Sequence, residues 1–148
     1  MSIMIDNKDQ IILNELKKNS RVTTKDLSKN VEIPRVTVHD RIQKMIKNGV
    51  IKSFDVKIDY NKIGLPTEVF IFVSFLPNAN ISQRELAKRI SKLERILEVH
   101  IISGEYDLLL KVIGKSLEEI GEIVIDKLRN IKGVGKTLTF ACFQTVKE

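Results

Sequence analysis

The stretch TTKDLSKNVEIPRVTVHDRIQKMIKNGVI, residues 23–51, decides the first half of the fold. Thr23 followed three residues later by Asp26 fits a capping box, Thr23 accepting from a backbone N–H and Asp26 reaching back, and predicts a helix from about Thr24 to Asn30. Val31-Glu32-Ile33-Pro34 interrupts the pattern. Pro34 suits the first turn of another helix, where a missing N–H costs nothing, and Asn48-Gly49 ends it. Within that helix Val38, Ile42, Met45 and Ile46 share one face, while Arg35, Thr37, His39, Arg41 and Lys44 point elsewhere. Upstream, Ile5, Ile11, Ile12, Leu13 and Leu16 recur at helical spacing behind an N-cap at Asp6, with Asp9 at the positive end of the dipole, which predicts a helix from about Asn7 to Asn19. Three short helices with a brief connection between the second and third form the helix-turn-helix pattern, whose last helix fits a major groove about 12 Å wide. A generic three-helix packing module has the same periodicity.

From Ser53 the period changes to two. Phe54, Val56, Ile58 and Tyr60 alternate with Ser53, Asp55, Lys57 and Asp59, as in a half-exposed strand, and Asn61 to Thr67, with Gly64 and Pro66, closes it. Beyond come a strand from Glu68 to Leu76, a helix from Ser82 to Leu93 capped by Ser82 with Glu85, and a strand from Leu97 to Ser103. The turn Gly104-Glu105-Tyr106-Asp107 follows, then a strand from Leu108 to Ile113, a helix from Leu117 to Ile131 capped by Ser116 with Glu119, and a strand from Lys136 to Val146. That order, βαββαβ, is ferredoxin-like and puts both helices on one face of an antiparallel sheet. The fold class is therefore α+β: an N-terminal (winged) helix-turn-helix plus a C-terminal ferredoxin-like domain. The expected divisions are 1–52, a linker strand and turn over 53–67, and 68–148.

A sheet covered on one face alone should alternate apolar and polar residues. These strands do not: Val69, Ile71, Val73 and Phe75 lie on one face, yet Phe70, Phe72 and Leu76 lie on the other, and Leu108-Leu109-Leu110 serves both. Six such residues per subunit, at about 1.5 to 3 kcal/mol each, supply on the order of 20 to 35 kcal/mol gross for a pair of subunits. That exceeds an association cost of about 4 to 15 kcal/mol, so a two-fold dimer through this face is expected.

Composition narrows the classes. Net charge is +6, with 12 basic and 8 acidic side chains in residues 1–60 against 13 and 11 in 61–148, a bias that suits a polyanionic partner and also serves solubility. The longest apolar run, Val69 to Leu76, is far below the roughly 20 residues of a membrane span. A single cysteine, Cys142, and no charged-then-apolar N-terminal segment point to a reducing cytoplasm. His39 and His100 fall in different domains and one cysteine completes no zinc set, so no metal or cofactor is expected. Gly133-Val134-Gly135-Lys136-Thr137 mimics the end of a phosphate-binding loop, but Asn130 stands where a Gly is required and a helix precedes rather than follows. Ser103, His100 and Asp107 lie close in sequence without an elbow motif, so catalysis is not expected.

Ile5-Asp6-x-x-Asp9-x-x-Ile12-Leu13, Arg21-Val22-Thr23 before Asp26-Leu27-Ser28, Val38-x-x-Arg41-Ile42, Asn48-Gly49-Val50-Ile51 and the turn Gly104-Glu105-Tyr106-Asp107 together resemble the Lrp/AsnC family, the feast/famine regulators of bacteria and archaea, over essentially the whole chain. The resemblance implies that the ferredoxin-like domain is RAM/ACT-like and that the chain is a sequence-specific transcription regulator that binds double-stranded DNA and a free amino acid. It also implies homodimers that assemble further, octamers included, with the effector between dimers. By position, Thr23, Arg35, Val36, Thr37, His39, Arg41 and Lys44 become the groove and phosphate contacts, although Arg41 can also pack structurally. A zwitterion needs donors for its carboxylate and acceptors for its ammonium. Ser103, Gly104, Glu105, Tyr106, Asp107 and Leu108, with the hydroxyls of Thr137 and Thr139, are the expected effector set, while the turn's composition equally suits a plain hairpin. Glu32 in the turn and Pro34 at the cap depart from the Gly and Ser that many relatives carry, and this bears on the angle at which the third helix meets a groove. Two other readings compete: an architectural, DNA-wrapping chromatin protein without an effector, and a regulatory subunit of a biosynthetic enzyme.

Overall fold

Two units of unlike composition follow from the two hydrophobic periods. The computed structural model describes residues 5–147 and divides the chain between Lys57 and Ile58; the first four residues of the expected 1–52 domain, and residue 148, lie outside the described residues.

In the first unit, α1 (Asn7–Lys18), α2 (Thr24–Val31) and α3 (Arg35–Lys47) enclose Ile12, Leu16, Leu27, Ile33, Val38 and Met45, with Leu13 and Ile42 packed against them. Ile11 and Ile46, expected on the same inner faces, are instead exposed. Asp6 and Asp9 form the full capping box. At α2 the reciprocal arm differs: the Asp26 carboxylate accepts from the Thr23 hydroxyl at 2.7 Å, and that hydroxyl accepts from the Asp26 N–H at 3.1 Å. The chain reverses through Glu32, the C-cap of α2, in the left-handed region at φ 55°. Pro34 then caps α3, its carbonyl accepting from the Val38 N–H at 3.0 Å.

No strand forms over residues 53–58, which corrects the expected linker strand. Alternation sets which side chains share a face, but a strand also needs a ladder partner, and this chain supplies none there among the described residues. Phe54, Val56 and Ile58 remain exposed.

The second unit is a four-stranded antiparallel sheet of β1 (Thr67–Phe75), β2 (Ile96–Ile101), β3 (Leu108–Gly114) and β4 (Val134–Ala141), in the order β2-β3-β1-β4. This is the ferredoxin-like arrangement. α4 (Gln83–Ile90) and α5 (Leu117–Glu122) begin at Ser82 and Ser116, whose hydroxyls accept from the Glu85 and Glu119 N–H groups. One sheet face carries Val69, Ile71, Val73, Leu108, Leu110 and Val112, fully buried with Leu86 and Ile90 of α4 and Ile120 of α5. The expected single helix to Ile131 is instead α-helical to Glu122, then a π-helical turn over Ile123–Lys127 and a 3-10 turn over Leu128–Asn130. The wider turn keeps Ile123, Val124 and Leu128 against the core while Ile125 stays outside. β4 starts two residues earlier and stops five residues sooner than expected, because its length is set by its partner: Val134 pairs with Phe75, and the last backbone bond runs from the Cys142 N–H to the Glu68 carbonyl.

Glycine is required twice at the start of β4. Gly133 has φ 102°, and a Cβ there would lie 2.8 Å from Ile81 Cδ1; a Cβ on Gly135 would lie 2.5 Å from Ser74 Oγ. The apparent phosphate-loop fragment is thus a close crossing of backbone and side chains.

Candidate functional site

Burial of Val38 and Met45 orients α3. At 100° per residue the stripe opposite them is Val36, Asp40, Gln43 and Lys47, flanked by Arg35, His39 and Lys44. All seven are exposed, and none of their side chains makes a hydrogen bond or ion pair among the described residues. Thr37 is half-buried, and the Thr23 hydroxyl is occupied by its cap. Asp40, Gln43 and Lys47 were missing from the residues expected at this surface. Their signal is the i+4, i+7 and i+11 spacing from Val36, found by locating the apolar stripe and taking its opposite.

Arg41 differs from the other cations of α3. Its Nη1 donates to Asp6 Oδ2 at 2.7 Å and to Asp9 Oδ1 at 2.9 Å, the two carboxylates of the α1 capping box. Bonding to the Asp9 N–H and then to Arg41 holds the Asp6 carboxyl below the usual Asp range, and the same pair of carboxylates pushes the Arg41 guanidinium up. Arg41 is therefore a tie between α1 and α3 through Nη1, while its Nε and Nη2 donors have no partner among the described residues.

In the second unit the turn after β2 separates into free and committed groups. Ser103, Gly104 and Glu105 are exposed, Gly104 at φ 128°, and the N–H groups of residues 103–106 have no partner among the described residues. Tyr106 stacks obliquely on Phe72 with ring centroids 5.6 Å apart. Asp107 is committed: its Oδ2 accepts from the Phe75 N–H at 2.7 Å, its Oδ1 lies 3.4 Å from the Gln83 amide nitrogen, and its own N–H donates to the Val73 carbonyl at 3.0 Å. Leu108 is fully buried in the core, so its side chain faces away from any ligand at the turn. Thr137 and Thr139 are on β4, opposite Val73 and Ile71, so β1 stands between them and the β2–β3 turn. The Thr137 hydroxyl accepts from Arg129 Nε at 3.0 Å. Within one chain the structure does not bring these threonines and the turn together.

The sheet face away from the helices is apolar, as expected, with a changed membership. Phe70 and Phe72 are joined there by Leu109, Leu138 and Phe140, with Phe72 and Phe140 edge to face at 5.6 Å; Leu76 lies past the end of β1. Lys111 and Glu68 pair at 3.5 Å beside it. Among the described residues no group of His, Cys, Asp and Glu is placed to hold a metal, and no helix is long and apolar enough to cross a membrane.

Residues 5–52 match the family model described as winged helix-turn-helix DNA-binding, and residues 68–148 match that of the Lrp/AsnC ligand binding domain. An uncharacterised HTH-type transcriptional regulator of Pyrococcus furiosus is 45% identical over 148 residues, covering 100% of this chain and 99% of the relative. Among solved structures, a Neisseria meningitidis transcriptional regulator in complex with L-Met superposes with a TM-score of 0.90 at 23% identity, over 98% of this chain and 94% of that one. Escherichia coli AsnC superposes with a TM-score of 0.86 at 24% identity, over 99% and 97%.

Proposed function

Because the chain belongs to the Lrp/AsnC family of DNA-binding transcriptional regulators, we propose that α3 reads a specific duplex sequence and that an amino acid held at the Ser103–Asp107 turn adjusts that binding. The family is one of regulators, not enzymes. The observation that carries the proposal is the outward face of α3. Its Arg35, His39 and Lys44 are exposed and uncommitted, while Arg41 uses Nη1 to tie α3 to α1. Arg35 and Lys44 neutralise phosphates; Val36, Thr37 and His39 face the groove; Thr23 meets the backbone from the N-terminus of α2.

For the effector, the unpartnered N–H groups of residues 103–106 suit a carboxylate, and the exposed Glu105 suits an ammonium group. Asp107 shapes the turn rather than touching the ligand. Thr137 and Thr139 join this set from another subunit, which agrees with an effector lodged between dimers. Pairing through Phe70, Phe72, Leu109, Leu138 and Phe140 would give the two-fold dimer that places two α3 helices on successive half-sites, with dimers assembling further. The L-Met found with the Neisseria relative supports an amino-acid ligand as a class and leaves its identity open.

The test is selection of duplexes from a randomised pool, repeated with each of the twenty amino acids. A sequence motif whose occupancy responds to one amino acid is expected. Indifference to sequence and to all twenty would overturn the proposal in favour of an architectural role. Arg35→Ala and Lys44→Ala should each reduce the slope of log affinity against log salt by about 1 while leaving the oligomer intact.

A further inference from the structure

The outward stripe of α3 has a chemistry that phosphate binding does not call for. Val36 is 73% exposed and contributes nothing to the helical core. A β-branched residue there is also a mediocre helix former, so the position is explained neither by packing nor by helix propensity. Asp40, one turn on, would be repelled by phosphates, so a duplex seated on this stripe must meet it with base edges rather than backbone. Gln43 follows and Lys47 ends the row, while Arg35 and Lys44 flank it, where they face the phosphates on either side. In the major groove the apolar group is the thymine C5 methyl, and the side-chain amide of Gln pairs bidentately with adenine N6 and N7.

We propose that Val36 packs against the methyl of a thymine and Gln43 pairs with an adenine, so that the half-site read by α3 is anchored on these two A·T pairs. Seven residues at 1.5 Å rise separate the two side chains by about 10 Å, or roughly three base-pair steps of 3.4 Å. This inference rests on α3 being the duplex-reading helix, and its experiment separates the two ideas.

The full chain selects duplexes from a randomised pool, and each thymine of the enriched site is then replaced singly by deoxyuridine, which deletes only the methyl. Losing one buried methyl should weaken wild-type binding about four-fold at a single position. Val36→Ala should show no further loss at that same replacement, and Gln43→Ala should relax the adenine preference about three pairs away. Thermal melts matching wild type establish that both surface variants fold. Enrichment of a motif with no uracil-sensitive thymine, or equal sensitivity in Val36→Ala, overturns the methyl contact; an adenine preference intact in Gln43→Ala overturns the amide contact. Failure of the wild type to enrich any motif overturns the sequence reading beneath both.

Discussion

Replacing Asp107 by alanine removes one acceptor that three segments share. Its carboxylate receives the Phe75 N–H at 2.7 Å where β1 ends and lies beside the Gln83 amide in the first turn of α4, while its main chain bonds to Val73 and Ile102. A hydrogen bond to a charged acceptor contributes about 1.5 to 3 kcal/mol, and because Asp107 is only half-buried the lower part of that range applies, about 1.5 to 2 kcal/mol. For a domain of this size the melting temperature should fall by on the order of 10 °C, read by circular dichroism at fixed subunit concentration since assembly also shifts the midpoint. Asp107→Asn keeps an oxygen for the Phe75 N–H and should recover most of the loss. If an amino acid binds at the turn as proposed, the rise in melting temperature it produces should also survive in this variant. An alanine variant melting within about 2 °C of wild type would refute the anchoring argument. An asparagine variant that folds normally but has lost the effector-induced rise would show instead that Asp107 touches the ligand.

Gly133→Ala should destabilise by about 2 to 4 kcal/mol, strain at φ 102° adding to a Cβ placed 2.8 Å from Ile81, as read by denaturant titration. Glu32→Gly should stabilise the helical unit by about 0.5 to 1 kcal/mol, because the left-handed φ of 55° costs a side-chain-bearing residue more than it costs glycine; unchanged unfolding would count against it. The Asp6 carboxyl is held below its ordinary range in the folded chain, so its contribution is complete above that range and disappears as pH falls through the lowered value. Asp6→Asn should accordingly flatten the acid limb of a stability–pH profile, and an unaltered limb would mean that the tie to Arg41 contributes nothing.

Caps were the most legible features because their partners are three residues apart: Asp6 with Asp9, Ser82 with Glu85 and Ser116 with Glu119 all bond close to expectation. Strand order followed from alternation and from handedness of the crossovers, and the apolar far face of the sheet followed from Phe70 and Phe72. What escaped depends on partners distant in sequence. Nothing near Arg41 announces that it will bond two carboxylates more than thirty positions upstream, nor near Asp107 that it will receive the N–H of Phe75. Residues 53–58 have the composition of a strand, yet the ladder that would make them one is not encoded locally. Leu108 adjoins the turn but alternates inward, and the hydroxyls of Thr137 and Thr139 are ranged with the buried side of β1. Sequence proximity and chemical suitability do not report which way a side chain points.

The bond from Arg41 to the first turn of α1 makes the two helices a single lever, with its fulcrum at Asp6 and Asp9. A change at either carboxylate is therefore felt at α3, although neither residue belongs to that helix.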